Sequence, residues 1–169
     1  MRVSNKLKRR FPFLDVCLWS TSVFNEFMIH QPGRFYLLVE VERDAMEAVF
    51  FFLKENKLSV FLDPTPEIIY RYVPDEKESW IVKPLVTEAP TQQIGGITTI
   101  TIEKLLVDLF CDQVLFAAQQ GAEQMTIFKE AFEKYTVNES KMLRYANRRR
   151  KRDELGAYLN IVSKFRQHI

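Results

Sequence analysis

The acids able to hold a divalent metal are Asp15, Glu40 and Glu42. A nuclease of restriction-enzyme type needs an acid on one strand, then an acid and a lysine on the next. Together these gather a metal near the scissile phosphate. Asp15 lies on a first expected strand, and Glu40-Val41-Glu42-Arg43 ends a second. The lysine is missing, and Arg43 makes a poor base because arginine does not deprotonate. The simpler reading leaves Glu40 and Glu42 as solvated carboxylates, with no metal bound.

The second group is cationic. Lys141, Arg144, Arg148, Arg149, Arg150, Lys151 and Arg152 crowd around one helix junction. On a helix, Arg144 and Arg148 stack at i, i+4 with Lys141 one turn before them, which makes a ridge where phosphates could lie. Lys141, Arg144, Arg148, Arg149 and Arg152 are the expected contacts to a DNA backbone. Tyr145 interleaves and could pack or stack. Contacts to phosphate alone carry no base readout. The alternative is a solvated helix face, balanced by Asp153 and Glu154.

Other chemistry lacks partners. His30 and His168 are the only histidines and build no zinc spacing. Cys17 and Cys111 are far apart and read as two buried thiols. Gly95-Gly96 lacks the spacing of a phosphate loop and reads as turn chemistry. No cofactor is expected. The net charge of +2 rules out an argument for nucleic acid from bulk composition, so local clustering must carry it. No apolar run reaches the length of a membrane span, and no continuous apolar segment follows the basic N-terminus as a secretory signal would require. A cytoplasmic protein is the expectation.

The positioning elements read as an α+β fold: a mixed sheet of about five strands with a βαβ-like N-terminal part, then a helical C-terminal third. With 169 residues the chain has the size of one domain, expected over 1–169. The basic stretch Met1–Arg10 is expected to be a short solvated helix or arm. Strands are expected at Asp15–Trp19, Arg34–Glu42, Leu58–Leu62 and Ser79–Thr87, where Pro84 suggests an edge or a bulge. Helices are expected from Ser20–Ser22 to His30, over Ala45–Asn56 and over Pro66–Tyr72. A polar loop follows at Asp75–Ser79.

Ile97–Asp112 organises the chain. Ile97-Thr98-Thr99-Ile100 is β-branched and favours an extended backbone. Ile102, Leu105, Leu106, Leu109 and Phe110 then form one apolar helical stripe. That stripe is expected to dock on the sheet made upstream and the helices made downstream. Thr101 is placed to cap the helix, and Glu103 suits the positive end of its dipole. Lys104 and Asp108 read as an i, i+4 pair turned away from the stripe, and such an exposed pair is worth at most about 0.5 kcal/mol; the alternative is that Asp108 caps or pairs with the helical third. Three further helices follow. Ala122–Lys134 carries Met125, Phe128, Ala131, Phe132 and Tyr135. A second, capped by Asn138, carries Met142, Leu143 and Ala146. The last, about Lys151–Arg166, carries Leu155, Tyr158, Leu159, Val162 and Phe165.

Thr101-Ile102-Glu103-Lys104-Leu105-Leu106-Val107-Asp108 resembles the Ser/Thr-x-Glu-x-x-Leu-Val-Asp motif in the C-terminal domain of AbiEi-like antitoxins of type IV toxin–antitoxin systems. Gln93-Ile94-Gly95-Gly96-Ile97, which reads as a hairpin turn leading into this stretch, is also similar to that family, as are Leu143-Arg144-Tyr145-Ala146 and Arg148-Arg149, especially to a branch of uncharacterised bacterial proteins. The resemblance covers about Ile81–Leu159. Thr101, Glu103, Leu106 and Asp108 carry its motif, here in structural roles.

The resemblance implies a non-enzymatic regulatory domain that supports DNA binding and neutralises a toxin of nucleotidyltransferase fold. Antitoxins of this kind also carry an N-terminal winged helix that binds operator DNA. Nothing before Asp15 is long enough for one. The expectation is therefore a counterpart of the C-terminal domain alone, either a fragment or a stand-alone relative, with Met1 natural or not. The alternatives are the metal-dependent nuclease and a pure protein-interaction module.

Overall fold

The structure, a computed structural model, describes residues 3–56, 58–72 and 78–167. His168 and most of the loop expected at Asp75–Ser79 lie outside these residues. The fold is α+β, with a mixed sheet and a helical C-terminal part. Chain contacts divide it into two compact units whose segments alternate in sequence. One comprises Met1–Val23, Gly33–Leu85 and Thr91–Thr99; the other comprises Phe24–Pro32, Val86–Pro90 and Ile100–Ile169.

The first unit carries the sheet. Its strands are β1 (Cys17–Ser20), β2 (Phe35–Val41), β3 (Val60–Leu62), β4 (Glu78–Pro84), β5 (Thr91–Ile94) and β6 (Ile97–Ile100). They lie in the order β3-β4-β2-β1-β6-β5, one strand more than the sequence suggested. The extra strand is β5, exposed along its length, whose Thr91-Gln92-Gln93-Ile94 has no apolar alternation. Gly95 and Gly96 make the turn between β5 and β6 at φ 56° and 74°, conformations that glycine adopts at no steric cost.

β2 and β3 both run parallel to β4, and β2 runs antiparallel to β1. α2 (Met46–Glu55) joins β2 to β3, and α3 (Pro66–Tyr72) joins β3 to β4. The expected βαβ-like part is therefore present, with β4 inserted between the two strands that α2 connects. β4 is thus interior, not the edge its proline suggested. Pro84 ends the strand, where its missing N–H costs no ladder bond, and Leu85 N–H donates to Val41 O at 2.8 Å just beyond it.

The core of this unit gathers Val39, Val41 and Val82 from the sheet with Met46, Val49 and Leu53 from α2. Leu7 joins it from α1 (Val3–Arg10), so the basic stretch is the short helix of one reading, but docked and not solvated. Val3 and Leu7 recur at i, i+4, which gives this short helix an apolar side to bury. Lys6 Nζ donates to Asn56 Oδ1 at 2.8 Å, and Lys8 reaches Gly96 O. After β1 the chain takes a 3₁₀ turn over Thr21–Phe27 in place of the expected helix to His30. Ser20 Oγ accepts from Ser22 N–H at 3.2 Å there.

The second unit is helical: α4 (Ile102–Cys111), α5 (Ala122–Lys134), α6 (Glu139–Arg148) and α7 (Arg152–Gln167). α4 packs on α5 and α6, and α7 packs on α5 and α6. Thr101 caps α4, its Oγ1 accepting from Lys104 N–H at 3.3 Å; Asn138 caps α6, its Oδ1 accepting from Lys141 N–H at 3.0 Å. Leu106 is fully buried, as its stripe required. The inner side of α5 is Gln124, Ile127, Phe128 and Ala131, while Tyr135 is exposed beyond the helix end. Phe165 is likewise exposed on α7.

Candidate functional site

The charge chemistry of the helical unit lies between α4 and α6. α4 is buried from Glu103 through Leu109, so its polar residues are enclosed together with its stripe. This corrects the expectation of an exposed Lys104–Asp108 pair, and the alternative holds instead: Asp108 pairs with the helical third. Lys104 is 0% exposed, and its Nζ lies 2.5 Å from Asp108 Oδ2. Enclosing both charges is tolerable only when several polar partners surround them. The other Asp108 oxygen, Oδ1, accepts from Tyr145 Oη at 2.7 Å and from Arg149 Nη1 at 2.6 Å. Arg149 Nη2 donates to Asp112 Oδ1 at 2.6 Å. Two cations and two carboxylates thus balance.

Burial opposes the Arg149 charge, but Asp112 and Asp108 outweigh it and push its pKa above the ordinary arginine value. Arg149 therefore serves inside the fold and leaves the set of expected phosphate contacts. Tyr145 is buried and bound to Asp108, so it is not a stacking surface. A periodic signal for both was in the sequence: Met142, Tyr145, Ala146 and Arg149 fall at i, i+3, i+4 and i+7, one side of α6.

Glu103 ties the other end of the same helix pair. Its Oε1 accepts the backbone N–H of Asn138 at 3.0 Å. The N-terminus of α4 thus holds the start of α6, while Asp108 and Asp112 hold its end, so the two helices run side by side in the same direction. The motif residues Thr101, Glu103, Leu106 and Asp108 respectively cap the helix, anchor α6, fill the core and bind the buried cations.

The opposite side of α6 carries Lys141, Arg144 and Arg148, all exposed. Arg148 Nε donates to Glu88 Oε2 at 2.5 Å. Arg150, at φ 57°, turns the chain out of α6, and Lys151 N–H closes back on Ala146 O at 2.9 Å. Arg152 is exposed as well, but it opens α7 and does not extend the ridge along α6.

The acids of the nuclease reading are not gathered. Asp15 and Glu42 are exposed, whereas Glu40 is buried, its Oε1 accepting from Trp19 Nε1 at 2.6 Å. Glu40 is therefore not the solvated carboxylate expected. Among the described residues no group of three or more His, Cys, Asp or Glu is placed to hold a metal ion. Cys17 is buried, and Cys111 is partly buried, its thiol pushed up to about 11 chiefly by burial. His30 is exposed. The first unit has an apolar cleft of about 480 Å³ beside Val3, Leu18, Leu37, Trp80 and Ile97; its described lining includes no titratable side chain.

A family model described as a family of unknown function (DUF6577) matches residues 1–164. The chain belongs to this family. No curated protein and no solved structure matches it. Among the described residues no helix is long and apolar enough to cross a membrane.

Proposed function

We propose that this DUF6577 chain is a cytoplasmic, non-enzymatic regulatory domain whose α6 ridge contacts the phosphate backbone of DNA. The contacts are Lys141, Arg144 and Arg148, with Arg152 a peripheral cation at the start of α7. One observation carries the reading: α6 sorts its cations by side. Arg149 is engaged by Asp108 and Asp112, whereas Lys141, Arg144 and Arg148 face solvent on a helix fixed at both ends. A rigid row of cations with no neighbouring base-reading element supports sequence-independent binding. The role is that of an antitoxin domain supporting DNA binding and toxin neutralisation, as the resemblance of Thr101–Asp108 implies.

The test is fluorescence anisotropy with two duplexes of unrelated sequence. Both should bind with equal affinity, and Arg144→Gln with Arg148→Gln should weaken both equally. A preference for one duplex, or binding indifferent to these substitutions, would refute the ridge as the contact. If neither duplex binds even at low salt, the reading fails for DNA. The ridge would then be a protein-facing surface, with a toxin of nucleotidyltransferase fold as the partner that the resemblance implies.

A further inference from the structure

The ridge is already in contact with one anion, and that anion is internal. Glu88 lies in the segment Val86–Pro90, and its carboxylate accepts from Arg148 Nε. The Arg148 hydrogen bond and charge, with a smaller contribution from Arg144, hold the Glu88 carboxyl below the usual carboxylate range.

The backbone delivers this side chain in a defined way. Ala89 N–H donates to Val86 O at 3.1 Å, closing a turn. Glu88 sits inside that turn at φ 62°, a left-handed conformation that non-glycine residues rarely take. Pro90 O accepts from both the N–H and the Oγ1 of Thr101, at 3.2 and 3.0 Å. The segment is therefore fastened to the cap of α4, and α4 is fastened to α6 through Glu103 and Asp108. Glu88 reaches the ridge from a fixed support.

We infer that the Glu88 carboxylate occupies the anion subsite of Arg144 and Arg148 and is displaced when a backbone phosphate binds there. The inference rests on the phosphate-binding reading above and adds a built-in competitor to it. An exposed pair of this kind is weak enough for a phosphate diester to displace. While in place it lowers affinity and shields the ridge from stray anions.

The experiment compares the full chain, Glu88→Gln and Glu133→Gln on one fluorescent duplex across a salt series. Glu133 is exposed on α5, so its variant makes the same change in net charge without touching the Glu88–Arg148 pair. Glu88→Gln should bind roughly two- to fivefold more tightly at low salt, the range set by a weak exposed pair. Glu133→Gln should shift affinity much less. If the parent binds and the two variants behave alike, or Glu88→Gln binds more weakly, the inference is overturned while the phosphate-binding reading stands. If none of the three binds, both fall.

Discussion

Asp108→Asn is the sharpest test of how the helical unit is held. The substitution keeps the shape and removes the charge that Lys104, Tyr145 and Arg149 share at 2.5–2.7 Å. It also replaces one accepting oxygen with a donor. Whichever way the amide turns, a donor then faces Lys104 or faces Tyr145 and Arg149. Removing one partner of a buried ion pair costs about 3–5 kcal/mol, against about 0.5 kcal/mol for an exposed i, i+4 pair. With a typical urea slope of about 1–3 kcal/mol per molar, the midpoint should fall by roughly 1–5 M, the slope itself unchanged. Tyr145→Phe removes a single donor to a carboxylate and should cost about 1.5–3 kcal/mol. Urea unfolding followed by helical circular dichroism reads both. A midpoint shift under about 0.5 M for Asp108→Asn, or a larger loss from Tyr145→Phe, would refute the buried-clamp reasoning.

Leu106→Ala empties a fully buried position and should cost about 2–5 kcal/mol in the same assay; an unmoved midpoint would mean that α4 is not packed as described. Thr101→Ala should cost about 1 kcal/mol through the lost cap, and a neutral result would deny the cap its role. The Cys111 thiol, raised from 9.0 to about 11, should react slowly with iodoacetamide in the native protein at pH 8. Above pH 9 the unfolded chain gives up this proton while the folded chain keeps it until about 11, so stability is lost as pH rises through that window. Cys111→Ala should flatten part of the alkaline loss, and an unchanged pH profile would contradict it.

Local signals were legible wherever a cap met a stripe. Thr101 and Asn138 mark the starts of α4 and α6, and Ala122–Lys134 has the bounds read from its pattern. The same local reading could not choose between an exposed Lys104–Asp108 pair and an Asp108 turned to the helical third, because i, i+4 spacing is identical for a surface pair and a buried one. Only the approach of Tyr145 and Arg149, more than thirty residues away, decides between them. Arg149 was hidden inside a run of cations, although its spacing from Met142 and Tyr145 marks it as inward. Sheet order was illegible for another reason: β4 pairs with β2 across an intervening helix–strand–helix, and no local pattern encodes that partner choice. The two units were equally invisible, since their segments alternate along the chain without a compositional linker.

The central claim is that Lys141, Arg144 and Arg148 form a phosphate-contacting row. Its most direct measurement is the affinity of the chain for a single duplex against salt concentration. Each phosphate neutralised contributes a log–log slope of about −0.9, so engagement of two or three cations predicts a slope of roughly −2 to −3. Arg144→Gln with Arg148→Gln should bring the slope to about −1 or flatter. A salt-independent affinity, or a slope unchanged when both arginines are replaced, would contradict the account.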